Sequence, residues 1–219
     1  MGLVDKRKPV QSQAVPCKRP YDLGKRLQVS DGKRAAILLA ARKLLESNGF
    51  LQFTMESLAK ESGVTRQTIH NLFGTKSEVL ETLFDQMALA GGLEYMREVM
   101  QQPDPEAMLL AFVDVFTGFW TRDRVLIRRI HGIAAIDPEF GLVVVSRNKR
   151  RQMAATRIVD LLSKRKGAAV FSHQEVPQQA ATVYSLTSFE FFDALAESTG
   201  DTTAAAFLVS SIAKRLLLA

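Results

Sequence analysis

The sequence predicts an all-α protein, and three observations support that prediction. Apolar residues recur at spacings of three and four along most of the chain, which is the period of a helix buried on one face. Helix-start signals are repeated, as at Thr75-x-x-Glu78, Asp104-Pro105 and Asp137-Pro138. No stretch alternates between apolar and polar residues for long enough to indicate a strand.

Residues 1–29 form the least periodic part of the chain. They contain three prolines, and seven lysines or arginines stand against two aspartates. This composition predicts a disordered basic arm. Such an arm is suited to contact a polyanion, and it suits a solubilising tail equally well.

Residues 30–76 predict three short helices joined by tight turns. The second helix has apolar positions at Met55, Leu58 and Ala59, and Gly63 can adopt the left-handed conformation that ends it. Thr65 can then cap the third helix. The apolar face of the first helix consists of Ile37, Leu38, Ala41, Leu44 and Leu45. Two helices that meet across so short a turn form a helix-turn-helix.

The third helix has two different faces. Ile69, Leu72 and Phe73 are spaced to face inward, which leaves an opposite face rich in hydrogen-bond donors. Such donors can contact base edges and phosphates in a major groove, although many surface helices are also polar on the outside. The short helix and tight turn favour DNA recognition. The predicted DNA-contacting residues are Thr54, Thr65, Arg66, Gln67, Thr68, His70, Asn71 and Lys76.

The charge of the chain is concentrated at the same end. Residues 1–76 contain 14 basic and 6 acidic residues, a net charge of +8, whereas residues 77–219 contain 15 and 17, a net charge of −2. Lys76 lies in the first turn of a fourth helix, beside a Thr75–Glu78 capping box. A basic module of this kind binds a polyanion by releasing counterions.

The stretch from Arg34 to Leu83 resembles the DNA-binding domain of TetR-type (tetracycline-repressor-family) transcriptional regulators. His70 departs from the family pattern, which usually has a phosphate-contacting tyrosine there, and Leu72 replaces a residue that is often polar or aromatic. The resemblance implies an operator-binding homodimer whose last two helices form the dimer interface and whose C-terminal domain encloses a small-molecule effector. The matching segments are Gly49-Phe50, Phe53-Thr54-Met55, Leu58-Ala59, Gly63-Val64-Thr65, Phe73, Lys76 and Leu80.

Residues 77–219 predict a linker helix followed by a larger helical domain for effector binding and dimerisation. The fourth helix is expected to run toward Met100, with Gly91-Gly92 midway. Further helices are expected from Pro105, from about Arg122 and from Pro138 to about Lys164. The last two are expected at 177–198 and after residue 200.

The C-terminal domain is unusually rich in aromatic residues along its predicted helices. Singly these residues suit a packed core, and His131 suits a hydrogen-bonded core position, but together they favour a pocket. The basic runs 128–129 and 147–151 are expected to be a solvated helical face, with an acidic effector as the second interpretation. The predicted effector-binding residues are Phe112, Phe116, Trp120, Ile127, His131, Phe140 and Tyr184.

The sequence therefore predicts a ligand-responsive repressor and not an enzyme. Its three histidines lack metal-site or nucleophile spacing, and no cofactor motif is present. No apolar run approaches a membrane span, so a cytoplasmic protein is expected. The expected partners are a double-stranded DNA operator with half-sites about 34 Å apart, a second copy of the chain, and a small hydrophobic or amphipathic effector. An activator, or a DNA-bound adaptor that contacts a protein, remains an alternative.

Overall fold

A computed structural model of the chain describes residues 23–48, 53–165 and 171–218. Within these ranges it contains eleven α-helices and no strand, which confirms the all-α class. None of the helices described there is both long enough and apolar enough to cross a bilayer. The helices are α1 Leu23–Asn48, α2 Met55–Ser62, α3 Arg66–Phe73, α4 Lys76–Ala90, α5 Met96–Val99, α6 Pro105–Arg122, α7 Arg124–Ile136, α8 Pro138–Ser163, α9 Val176–Leu186, α10 Phe189–Thr199 and α11 Thr202–Leu217.

Helices α1 to α3 form the predicted helix-turn-helix module. Gly63 ends α2 in the left-handed conformation, with φ of 69°, and the hydroxyl of Thr65 accepts the amide hydrogen of Thr68 at the start of α3. Ile69 and Leu58 are fully buried between the helices, and the Arg34 guanidinium of α1 lies 5.0 Å from the centre of the Phe73 ring. The turn predicted from the sequence is therefore present, with the expected caps.

The N-terminal boundary of this module differs from the prediction. Helix α1 begins at Leu23, so the last seven residues of the predicted 1–29 arm are helical. That segment lacks proline and contains lysine, arginine, glutamine and leucine, which have high helix propensity and outweigh its single glycine. The remainder of the predicted arm, residues 1–22, lies outside the described residues.

Helix α4 ends at Ala90, so the expectation of one helix reaching Met100 is wrong. Gly91 packs so closely on α6 that a Cβ atom there would lie 2.4 Å from a ring carbon of Phe119. Gly92 follows with φ of 86°, a conformation that only glycine adopts readily. A short 3₁₀ turn and α5 then lead to α6, which Asp104 caps as predicted.

The C-terminal domain is built around α8, which packs against α4, α6, α7 and α9, while α11 packs on α6 and α10. One helix was predicted over 177–198, but the chain breaks there into α9 and α10. Ser188 caps α10 by accepting the amide hydrogen of Phe191. The Thr187 carbonyl at the break accepts hydrogen bonds from Trp120 Nε1 at 3.1 Å and Arg151 Nη1 at 2.8 Å. These buried donors satisfy the carbonyl that the break leaves without a helical partner.

Candidate nucleic-acid interface and ligand cavity

Helix α3 presents its predicted polar face to solvent. Arg66, Gln67, His70 and Asn71 are exposed on it, and the opposite face is anchored by the fully buried Ile69. Gln67 Nε2 donates to Asn71 Oδ1 at 2.8 Å, which fixes both amides on the outer side of the helix. The face thus offers guanidinium, amide and imidazole groups without a large apolar side chain.

The predicted threonines lie at the N-termini of α2 and α3. Thr54 Oγ1 accepts the amide hydrogen of Ser57 at 3.1 Å. The hydroxyls of Thr65 and Thr68 are hydrogen-bonded to each other, with 2.9 Å between their oxygens. Thr54 and Thr65 are exposed, and Thr68 is half-buried. Each hydroxyl therefore sits where the positive end of a helix dipole faces outward, which is a favourable position for phosphate.

Lys76 differs from the expectation of a lysine directed at the DNA. Its ammonium group lies 3.4 Å from Asp137 Oδ2, at the N-terminus of α8. The Phe140 amide lowers the pKa of the Asp137 carboxyl, and Lys76 lowers that pKa further. The neighbouring Thr75 hydroxyl donates to Glu139 at 3.4 Å. This end of α4 is consequently attached to the C-terminal domain through Asp137 and Glu139 at the start of α8.

Two further contacts connect α1 to the C-terminal domain. Arg42 forms an ion pair with Asp123, a buried residue between α6 and α7. Arg129 of α7 donates to the Leu45 carbonyl near the end of α1. Arg129 was expected on a solvated face, but it is half-buried, because the first helix covers it. The helix-turn-helix and the C-terminal domain are therefore joined through both α1 and α4.

A cavity of about 500 Å³ lies between α4, α6, α7 and α8, within the size range of about 300–1,000 Å³ of small-molecule sites. Four of the seven predicted effector residues line it: Phe112, Phe116, Trp120 and His131. Ile127 and Phe140 are fully buried but do not line it, since they pack into the core between helices. Tyr184 also lies outside the cavity wall, because its ring packs on the Arg151 guanidinium at 4.6 Å.

Several cavity residues were not predicted. Phe84 of α4 and Leu93 and Met96 after the α4 break belong to the wall, and so do four polar residues of α8: Arg147, Asn148, Arg150 and Arg151. A signal for the α8 residues existed in the sequence. Arg147 and Arg151 continue the buried stripe of Phe140, Val144, Ala155 and Ile158 at spacings of three and four.

The solvated basic face predicted for residues 147–151 is therefore correct only in part. Lys149 and Arg150 are exposed, whereas Arg151 retains only 5% of its accessible surface. The Arg151 guanidinium lies 5.6 Å from the Phe116 ring, and burial lowers its pKa. It remains a cation at neutral pH because an arginine deprotonates only far above that range. Its Nε atom is buried without a hydrogen-bond partner among the described residues.

Arg147 connects the cavity to α4. Its guanidinium donates to Asp85 at 2.7 Å, lies 3.6 Å from Glu81, and stacks over the Phe84 ring at 4.8 Å. Its Nε atom is likewise buried and lacks a described partner. One side chain of α8 thus contacts Glu81, Phe84 and Asp85, which neighbour each other on one side of α4, the helix that carries Lys76.

His131 is held at the cavity wall by a carboxylate. Its Nδ1 atom lies 3.0 Å from Glu190 Oε1, and its ring packs against Phe189 with centroids 4.9 Å apart. The hydrogen bond with His131 holds the pKa of the Glu190 carboxyl down to about 2. His131 is therefore a hydrogen-bonded residue whose ring also faces the cavity, which combines the two interpretations made from the sequence.

The last two helices present an apolar outer face. Phe207 of α11 keeps 71% of its accessible surface, a large fraction for a phenylalanine. Small side chains flank it, so that a second helix could approach closely. The face, called the α10–α11 face below, consists of Phe191, Ala194, Leu195, Ala204, Phe207, Leu208 and Ser211.

Comparison with known proteins agrees with the helix-turn-helix described above. Residues 37–83 match the model of the family described as bacterial regulatory proteins, tetR family. The chain is 27% identical over 145 residues to the HTH-type transcriptional regulator EthR of Mycolicibacterium smegmatis, an alignment that covers 64% of each chain.

Two solved structures show the same fold. A TetR transcription regulator from Haloarcula marismortui superposes with a TM-score of 0.66 at 16% identity, covering 86% of this chain and all of the other. NalD of Pseudomonas aeruginosa, described as the secondary repressor of the MexAB-OprM multidrug efflux pump, superposes with a TM-score of 0.65 at 17% identity, covering 87% and 98%.

Proposed function

Because the chain belongs to the TetR family, whose model matches residues 37–83, we propose that it is a sequence-specific DNA-binding transcriptional regulator. The observation that carries the proposal is the outer face of α3, where Arg66, Gln67 and Asn71 present paired donors and acceptors on a helix of eight residues. An α-helix fits into the major groove of DNA, and amide and guanidinium groups form bidentate contacts with purine edges. Such a protein acts in the cytoplasm, where it meets the DNA.

Phosphate contacts would hold this helix in the groove. Thr54 and Thr65 are exposed N-cap residues of α2 and α3, and Thr65 directly precedes Arg66. Their hydroxyls and the adjacent amides suit the backbone-positioning role. Lys76 is already paired with Asp137, so a phosphate would compete with that carboxylate for its ammonium group.

The regulator works as a homodimer through the α10–α11 face. Two copies of this face would bury Phe207 and its apolar neighbours and place the two α3 helices on successive major grooves, about 34 Å apart. A second exposed apolar stripe lies on α8 at Leu142, Val145 and Met153, but charged residues such as Lys149 interrupt it. The α10–α11 face is therefore the better interface, because charged residues are depleted from interface cores.

The cavity is the effector site, and its occupation releases the repressor from DNA. Arg147 couples the cavity to the DNA-binding end of the protein, because it lines the cavity and also contacts Asp85 and Phe84 of α4. A ligand that displaces Arg147 changes the position of α4 and hence the spacing of the two α3 helices. That NalD is described as a repressor is consistent with this direction of control. Reciprocity requires operator DNA to weaken effector binding by the same factor.

In vitro selection from a random DNA library tests whether the protein binds DNA in a sequence-specific way. We expect recovered sites to be near-palindromic, with half-site centres about one helical turn apart. On such a site, Gln67→Ala and Asn71→Ala should each weaken binding by about 1–3 kcal/mol and relax the sequence preference. The measurement is a gel-shift titration at fixed salt.

The matched control is Gln152→Ala, which removes the same side chain from an exposed position on α8. It should leave the affinity for the selected site unchanged. Selection that returns no enriched sequence, or α3 variants that bind as tightly as the Gln152→Ala control, would contradict the placement of the interface on α3.

A further inference from the structure

The buried Arg151 guanidinium determines what kind of ligand suits the cavity. Arg151 lines the cavity, retains only 5% of its accessible surface, and belongs to a helix whose neighbouring Arg150 is exposed. Burying a cation without a counter-charge is strongly unfavourable, and such groups are normally paired. A buried arginine at the wall of a cavity is therefore a reason to look for its counter-ion.

The protein itself supplies only part of that pairing. Arg151 donates Nη1 to the Thr187 carbonyl, its guanidinium lies against the rings of Phe116 and Tyr184, and a side-chain hydrogen bond with Tyr184 opposes the lowering of its pKa by burial. Among the described residues, none of the carboxylates lies within ion-pair distance of Arg151, and its Nε atom has no acceptor. The guanidinium consequently keeps its Nε donor for a planar, negatively charged group.

The other charged residues at the cavity leave this positive charge in place. Asp85 is engaged by Arg147, and Glu190, which acts on Arg151 from a distance, is hydrogen-bonded to His131. Glu94 and Arg150 lie at the exposed margin of the cavity. Arg147 lies on the same helix, and its guanidinium is paired with Asp85 and Glu81, although its Nε atom lacks a partner among the described residues. Arg151 therefore supplies the positive charge of the cavity that none of the described carboxylates pairs with.

Most of the remaining wall is apolar, although His131 and Asn148 also belong to it. Its apolar residues include Leu93, Met96, Phe112, Phe116, Phe119 and Trp120. A cavity with a positive charge at Arg151 and a mostly apolar wall matches a ligand with an anionic head and a hydrocarbon body.

We propose that the cavity binds an amphipathic carboxylate, with the carboxylate group paired to Arg151 and its alkyl or aryl body among the phenylalanines. The proposal rests on the proposed function of the cavity as an effector site and specifies the chemical class of the effector. The carboxylate would supply the acceptor that Nε lacks, and the planar group would match the guanidinium fork.

The fluorescence of Trp120 can be used to measure ligand binding. This residue is the sole tryptophan of the chain and lines the cavity, so its fluorescence reports on occupation of this site. The probes are decanoate, 1-decanol and decylamine, which share one apolar chain and differ in head-group charge. Each is used below its solubility limit and below the concentration at which it aggregates. We expect decanoate to bind the full chain about tenfold or more tightly than either of the others.

The variant Arg151→Met keeps the size of the side chain and removes its charge. Decanoate affinity should fall about ten- to hundredfold while 1-decanol affinity stays the same or rises. The matched control is Arg157→Met, which removes an exposed arginine from the same helix and should change neither affinity. Arg151→Lys should retain part of the preference for decanoate, because it keeps the charge and loses the fork.

The outcomes separate this proposal from the proposed function. Equal binding of the three probes, or tighter binding of decylamine, overturns the carboxylate assignment and leaves the cavity as an effector site. Absence of binding by all three overturns both the assignment and the effector role, while DNA binding in the gel shift is decided independently. Should circular dichroism show Arg151→Met to be unfolded, the three-probe comparison on the unaltered chain still decides the question.

Discussion

Replacing Phe207 by aspartate should convert the protein into a monomer. Phe207 keeps 71% of its accessible surface in the single chain, and a phenylalanine side chain buries about 150–250 Å² when covered. Taking about 140 Å² for each of two copies gives about 280 Å² of apolar surface. At about 25 cal/mol per Å² this corresponds to about 7 kcal/mol, an upper bound because association also orders side chains.

The aspartate adds a desolvation cost if the face still closes, since each carboxylate would lie near its symmetry mate. We therefore expect the dimer dissociation constant to rise at least a thousandfold, which is about 4 kcal/mol. Sedimentation velocity over a range of protein concentrations measures this change. The monomer should also lose tight binding to a two-half-site operator while keeping the unfolding transition of its helices.

The matched control is Leu142→Asp on α8, because Leu142 is exposed to the same 71% but lies on the other apolar stripe. This variant should remain a dimer. A Phe207→Asp protein that sediments as a dimer, or a Leu142→Asp protein that becomes monomeric, would refute the assignment of the α10–α11 face and move the interface to α8.

Two further outcomes are expected. The variant Arg147→Met removes the contacts to Asp85 and to the Phe84 ring. In a gel shift, the ratio of operator affinity without decanoate to operator affinity with saturating decanoate should therefore fall about five- to thirtyfold. An unchanged ratio would exclude Arg147 as the residue that couples the cavity to α4. Because the pKa of Glu190 is lowered from 4.5 to about 2, its ionised form stabilises the fold above pH 4.5, and this stabilisation is lost as the pH falls toward about 2. In urea unfolding, the free energy of unfolding of Glu190→Gln should therefore depend less on pH across that interval. The same pH dependence in both proteins would contradict this expectation.

Local chemistry made much of the fold predictable. The caps at Thr65, Thr75, Asp104 and Asp137 depend on residues one to three positions away, so the sequence predicts them, and all four are present. The polar face of α3 was predictable for the same reason, because helical spacing alone places Gln67 and Asn71 opposite Ile69.

Features that depend on distant partners were not predictable in this way. The break between α9 and α10 is stabilised by Trp120 and Arg151, which lie 67 and 36 residues away from Thr187 along the chain. The pairing of Lys76 with Asp137 similarly joins two helix ends that are far apart in sequence. Ile127 and Phe140 were assigned to the cavity because aromatic and aliphatic residues at helical spacing look alike whether they line a cavity or fill a core.

The close approach of Gly91 to Phe119 determines how movement in the cavity would reach the DNA. With no side chain at Gly91, the C-terminal end of α4 rests directly on a cavity residue and serves as a pivot. At 1.5 Å per residue, Phe84 lies about 10 Å from that pivot and Lys76 about 22 Å. A ligand that displaces Phe84 sideways would move the helix-turn-helix end of α4 about twice as far once the contacts of Thr75 and Lys76 with α8 are broken, and α4 would then act as a lever with its short arm in the cavity.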